Sequence, residues 1–264
     1  MLRKVFSITG LLLFSMPLLC QIDKDLFPLD RQYRRSGFYI NPELTYLLPI
    51  GSTNKTETAD TLTYLYEVNG SGKLKYGIEL GYFYSFKKSK IVHFLEGGIG
   101  YRSFAGGAEH KGTLFLPSDT SNYSSSNTIN YNLAHVSIRA NHVKQLKRYS
   151  FIINSLGINA NYAISEKFDR SFAYPSNFDT FTNSLNGFLT YQIGFGYRIT
   201  KHTILIPSIE TTLLQVFPID DVRSSFKFFS HDYQPIIFKL RIMFLRKDPV
   251  NCNAPIFKGP QPAL

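Results

Sequence analysis

Residues 185–200 read LNGFLTYQIGFGYRIT. Leu185, Gly187, Leu189, Tyr191, Ile193, Phe195, Tyr197 and Ile199 fall at alternate positions. Between them stand Asn186, Phe188, Thr190, Gln192, Gly194, Gly196, Arg198 and Thr200. The period is two, and successive side chains of a strand point to opposite faces. The stretch therefore reads as a β-strand with one greasy face and one largely polar face.

The same alternation recurs along the chain. Leu74, Tyr76, Ile78, Leu80, Tyr82, Tyr84 and Phe86 alternate with Lys75, Gly77, Glu79, Gly81 and Ser85. Leu95, Ile99 and Tyr101 alternate with Glu96, Gly98, Gly100 and Arg102. Ala134, Val136, Ile138 and Ala140 alternate with His135, Ser137, Arg139 and Asn141. Ile152, Leu156, Ile158, Ala160 and Tyr162 follow the pattern, as do Phe238, Leu240, Ile242 and Phe244. Weaker segments run over 38–48 and 204–214. They contain Pro42 and Pro207, which predict a bulge or irregular pairing because proline lacks the ladder N–H. About eight strands result, each near the roughly ten residues that cross a bilayer at a tilt. Ten strands remain an alternative, since residues 61–68 also carry strand character and either extend the first hairpin or add to the count.

The connections alternate in length. Short ones lie around Lys87-Lys88-Ser89-Lys90, Gln145-Leu146-Lys147-Arg148 and Thr200-Lys201-His202. Long ones cover 51–72, 106–130, 167–183 and 218–234 and are mostly rich in Ser, Thr, Asn, Asp and Gly. At the start of the chain, a basic Met1 to Lys4 and an apolar 5–19 ending near Pro17 have the layout of a signal peptide. Cleavage before Gln21 removes Cys20 and leaves Cys252 alone, so no internal disulfide is expected. After 20 no apolar run reaches the length of a membrane helix. The chain is rich in Phe (23) and Tyr (17), lacks Trp, and is 44% hydrophobic, which suits two-faced strands.

With its signal peptide, alternating strands, short-long connections and aromatic last strand over 236–245, the chain resembles the small Gram-negative outer-membrane β-barrel superfamily over roughly 37–247. That resemblance implies an all-β fold: a transmembrane antiparallel up-and-down barrel of about eight strands, with short periplasmic turns and long extracellular loops. It divides the chain into a signal peptide (1–20), a periplasmic N-terminal segment (21–36), the barrel (37–247) and a Pro-rich periplasmic tail (248–264). Both ends fall in the periplasm. A secreted soluble β-sandwich is the rival fold.

The polar faces carry Glu43, Glu79, Glu96 and Glu210 with Arg102, Arg139, Arg198, Lys239 and Arg241. Eight strands enclose a lumen just filled by side chains. A lone buried charge is unfavourable, so these nine are expected to interlock as a structural network rather than act as catalytic acids. Gly98 and Gly100 leave room for bulky inward neighbours. Tyr82, Tyr84, Phe86, Phe195, Tyr197 and Phe244 gather toward the short-turn end as an aromatic girdle.

The net charge is +10, but the basic residues are scattered along the chain and many sit in short turns. Nucleic-acid binding is not expected from net charge alone. No Cys/His cluster suggests zinc and no cofactor is expected. His135 and Ser137, on one strand face, are similar to the pair in outer-membrane lipid A deacylases in those two residues only. Three functions remain: a non-enzymatic surface or structural barrel acting through its long loops, an accessory of a secretion or envelope-assembly machine, and a lipid A-modifying hydrolase. Asn122-Tyr123-Ser124-Ser125 is a candidate loop contact. Expected partners are outer-membrane lipid, the barrel-assembly machinery and an envelope or surface protein.

Overall fold

The computed structural model describes residues 34–59, 62–86, 89–115, 120–147, 149–170, 184–217, 224–229 and 231–246. The expected signal peptide (1–20) with Cys20, most of the expected N-terminal segment, and the Pro-rich 248–264 with Cys252 lie outside them. All regular structure among the described residues is β. The strands are β1 (Ser36–Pro49), β2 (Ser52–Ala59), β3 (Leu62–Lys73), β4 (Lys75–Ser85), β5 (Phe94–Phe115) and β6 (Thr120–Lys147). They continue with β7 (Ser150–Arg170), β8 (Leu185–Arg198), β9 (Thr203–Phe217), β10 (Phe226–Phe228) and β11 (His231–Phe244).

Eight of them form a closed ring. β1 pairs with β4, then β5, β6, β7, β8, β9 and β11 follow, and β11 returns to β1. Every contact is antiparallel. β1 uses both edges, meeting Tyr82 and Phe244 at Phe38. Closure satisfies backbone groups that an open sheet leaves unpaired. The choice between eight and ten strands thus resolves to eight. β2 and β3 form a hairpin that extends the first connection and pairs with the far half of β5 from Thr63↔Phe115 to Lys73↔Ala105. β10 is a short strand laid on β11.

Two of the segments expected to be polar loops are largely strand. Residues 106–115 and 120–130 continue the β5–β6 hairpin, whose register runs from Phe94↔Asn141 to Phe115↔Thr120. Ser, Thr and Asn are no obstacle there, because the hairpin's backbone pairs with itself and its outward side chains meet solvent. Pro42 and Pro207 cause no register shift: both point outward, and the β1–β11 ladder keeps one register from Ile40↔Ile242 to Glu43↔Lys239. The irregularities sit elsewhere, for example between Asn132 and Leu133. That shift leaves Ile164 as the extra residue and turns Phe168 toward the interior, where it packs on the core.

The two faces sort as the alternation requires. On β11, Phe238, Leu240 and Phe244 are exposed, whereas Lys239, Arg241 and Met243 are buried. On β6 the outward row is polar at Ser124, Ser126, Thr128, Asn130 and Asn132, apolar from Ala134 to Ala140, and polar again at His142 and Lys144. An apolar belt therefore rings the barrel. Tyr82, Tyr84, Phe195, Tyr197 and Phe244 stand exposed at its short-turn margin, with Phe38 against Tyr82 at 5.3 Å between centroids.

Candidate functional site

The centre of the barrel is built from inward positions of six strands: Glu43 on β1, Glu79 on β4, Glu96 and Arg102 on β5, Arg139 on β6, Glu210 on β9, Lys239 and Arg241 on β11. None is more than 3% exposed. Register alone sets Glu43 opposite Lys239 and Glu96 opposite Arg139. Long side chains then cross the lumen because glycines leave space. A Cβ on Gly157 would strike Arg139, one on Gly98 would strike Tyr39, and one on Gly100 would strike the His135 ring.

Arg139 is the hub. Its Nη1 donates to Glu79 Oε1 at 2.8 Å and to Glu96 Oε1 at 2.9 Å, and its Nε donates to Glu210 Oε2 at 3.2 Å. Arg102 grips Glu43 with two hydrogen bonds, 2.8 Å from Nε and 3.0 Å from Nη2. Lys239 Nζ lies 2.8 Å from Glu210 Oε2 and 3.2 Å from Glu43 Oε1. Arg241 Nη1 is 2.8 Å from Glu96 Oε2, and its Nη2 donates to Gln192 at 2.9 Å. Four carboxylates thus face four cations. Each supplies what the other lost on leaving water, and such compensation is what keeps a buried charge tolerable.

Arg198 stands apart from this group. It ends β8 at the short-turn margin, half-buried, and donates to the carbonyls of Thr200 at 3.2 Å and Lys201 at 2.9 Å. Its parity is inward, but an apolar layer separates that depth from the network. Tyr39, Asn159 and Gln192 belong to the centre although charge-based reading missed them. Tyr39 donates to Glu79 Oε1 at 2.9 Å and Asn159 to Glu210 Oε1 at 3.0 Å. Their inward parity was the available signal.

Two apolar layers enclose the network. At the short-turn end lie Tyr39, Phe83, Phe94, Phe151, Ile204 and Met243. At the other end lie Phe104, Tyr131, Phe188, Phe226, Phe228 and Tyr233. β10 supplies part of that upper layer: Phe226 packs on Phe188 at 5.2 Å and on Phe104 at 5.6 Å. Phe229 follows with φ of 51°, a left-handed turn residue that is fully buried.

His135 and Ser137 also face the lumen and are buried. Both bind the same atom, Glu79 Oε2, His135 through Nε2 at 3.0 Å and Ser137 by donation at 3.1 Å. Ser137 therefore gives its proton to a carboxylate rather than to the imidazole, and neither reaches the outer wall. Glu43, Glu79 and His135 each offer one ligand atom within 4.8 Å of the others. The carboxylates among them already hold Arg102, Arg139 and Lys239, so a metal ion there would compete with cations that the fold supplies. This donor set does not suit a metal.

No protein-family model matches the chain, and no curated protein sequence matches it. Among solved structures it is similar to Ail, the attachment invasion locus protein of Yersinia pestis, at 13% identity, over 80% of this chain and 97% of that one, with a TM-score of 0.34. It is similar to the outer membrane protein OprG from Pseudomonas aeruginosa at 12% identity, over 83% and 98%, with a TM-score of 0.37. Neisserial surface protein A is similar at 11% identity, over 79% and 97%, with a TM-score of 0.34. The closed ring of the chain's own sheet, rather than these distant likenesses, fixes the fold. The chain is an eight-stranded antiparallel β-barrel, the architecture of small outer-membrane barrels.

Proposed function

We propose that this chain is a sealed outer-membrane barrel, non-enzymatic, which acts through the strand extensions at its long-connection end. The apolar belt supports the membrane setting. Along β4 and the residue before it, the belt runs from Leu74 to Tyr84, which at the rise and tilt of such strands is roughly 25 Å, the height of an outer-membrane apolar band. Water would not tolerate so continuous an exposed apolar surface. The observation that carries the functional reading is the filled lumen: an apolar layer, a charge network and an aromatic layer follow one another along the axis. Among the described residues such an interior leaves no path for a solute and no cleft for a substrate. What remains available is the wall formed by β2, β3 and the far halves of β5 and β6. Rigid scaffolds commonly present binding surfaces in this way. A lipid A hydrolase would need its nucleophile at the outer wall, and Ser137 faces inward.

Membrane fractionation followed by electrophoresis with and without boiling tests the proposal. The expected result is recovery with the outer membrane and a mobility shift on boiling, because a ring without open edges resists detergent. Release in soluble form with no shift would overturn it. Unchanged lipid A mass profiles with and without the protein are expected as well.

A further inference from the structure

Charges that are scattered in sequence are sorted in space. The turn between β4 and β5 carries Lys90, the end of β6 carries Lys144 and Lys147, the end of β8 carries Arg198, and the turn that follows it carries Lys201. The segments entering and leaving the ring add Arg34, Arg35 and Arg246, held together by the hydrogen bond from Arg34 N to Arg246 O at 2.8 Å. Among the described residues at this end there is no Asp or Glu. The sequence of the same connections adds Lys87, Lys88, Arg148 and Lys247. At the other end acids and bases mix: Glu109 pairs with Lys111 at 3.2 Å, and Glu166 and Asp169 neighbour Lys167. The lumen is balanced, four against four. Among the described residues the excess positive charge is thus concentrated in one collar.

We infer that this collar binds the anionic headgroups of phospholipids in the leaflet at the short-turn end. The inference rests on the membrane reading above. Two features favour a lipid surface. Arg246 and Lys144 begin where the apolar belt stops, on the same outward rows. Arg246 continues Leu240, Ile242 and Phe244 and lies 4.7 Å over the Phe38 ring, while Lys144 continues Ile138, Ala140 and His142. That is the depth of phosphates in a bilayer whose acyl chains meet the belt. The cations also surround the barrel, with members at all three turns and at the chain ends. A docked macromolecule needs one side, whereas a headgroup layer meets the whole circumference. Each Lys or Arg near an anionic surface adds to the attraction, which salt screens over a Debye length.

The full chain, reconstituted in phosphatidylcholine vesicles containing a minor fraction of phosphatidylglycerol, provides the test. Spin-labelled phosphatidylglycerol and phosphatidylcholine report which lipid the protein holds. Expected is a preference for phosphatidylglycerol on the order of a few-fold at low salt, lost near ~1 M salt. The variant K144Q/K147Q/K201Q/R246Q should lose most of that preference and keep its heat-shifted mobility. K111Q, at the opposite end, should keep both. Equal retention of the two lipids, or an undiminished preference in the quadruple variant, would overturn the collar and leave the barrel standing. Failure to enter vesicles, with no mobility shift on boiling, would overturn both.

Discussion

Arg139 shows how one residue comes to hold a lumen together. Inward parity on β6 points it at the axis, Gly157 on β7 lets its stem lie flat, and carboxylates from β4, β5 and β9 converge on its guanidinium. Replacing it with methionine leaves Glu79, Glu96 and Glu210 short of a shared partner while filling much of the volume. Removing one side of such a buried pairing destabilises by about 3–5 kcal/mol. Arg139→Met should therefore lower the urea midpoint of the folded barrel strongly. Arg198→Met, equally an inward-parity arginine by sequence, removes hydrogen bonds to turn carbonyls at a half-buried margin and should change stability by less than about 1 kcal/mol. Equal midpoint losses for the two would refute the distinction. Alternation made both arginines look alike. Depth along the axis separates them, and depth depends on stagger between strands, which a single strand's sequence does not encode. Tyr39 was hidden for a related reason. An aromatic ring signals greasiness, yet Tyr39 uses its hydroxyl on Glu79 and packs against Gly81 and Gly98.

At the scale of elements, period-two alternation was enough to find all eight strands of the ring, because each has one face in the lumen and one on the belt. It was weaker above the belt. There both faces of β5 are buried from Arg102 to Ala108, and the outward row of β6 is Ser, Thr and Asn, so the contrast that reveals a strand vanishes. The β2–β3 hairpin belongs to this zone. It is bound to the ring through β5 but closes nothing, since β4 already pairs with β5 from Gly77↔Arg102 to Ser85↔Phe94. Joining Gly51 to Gly72 with the hairpin removed should accordingly yield a barrel that still shifts mobility on boiling. Val68 leaves the upper core in this deletion, so a lower midpoint is expected, by about 1–3 kcal/mol for one buried valine and its contacts. Loss of the mobility shift itself would mean that β3 contributes to closure.

For the whole molecule, the arrangement of layers decides what kind of barrel this is. A lumen lined by charge alone would admit water and small ions. Here the charged layer lies between two apolar ones, and β1, β5, β6 and β11 contribute to all three at successive depths. The lower layer packs Phe83, Phe94 and Phe151 from β4, β5 and β7. The upper one depends on β10, a segment folded back onto the mouth from the last long connection. The strand number indicated a filled interior, but the part played by Phe226, Phe228 and Phe229 was not legible, because a connection rich in aromatics offers no sign of where its rings will settle. If the seal is shared among the layers, opening one should not open the barrel. Phe226→Ala with Phe228→Ala removes most of the β10 contribution and should cost about 3–5 kcal/mol per ring, yet the network and the lower layer still close the axis. In planar bilayers, both the parent protein and this double variant are then expected to show no steady conductance. Stepwise currents in the variant alone would make β10 the sole gate over an otherwise open lumen. Currents in the parent would reject a sealed barrel altogether and return the chain to the channels.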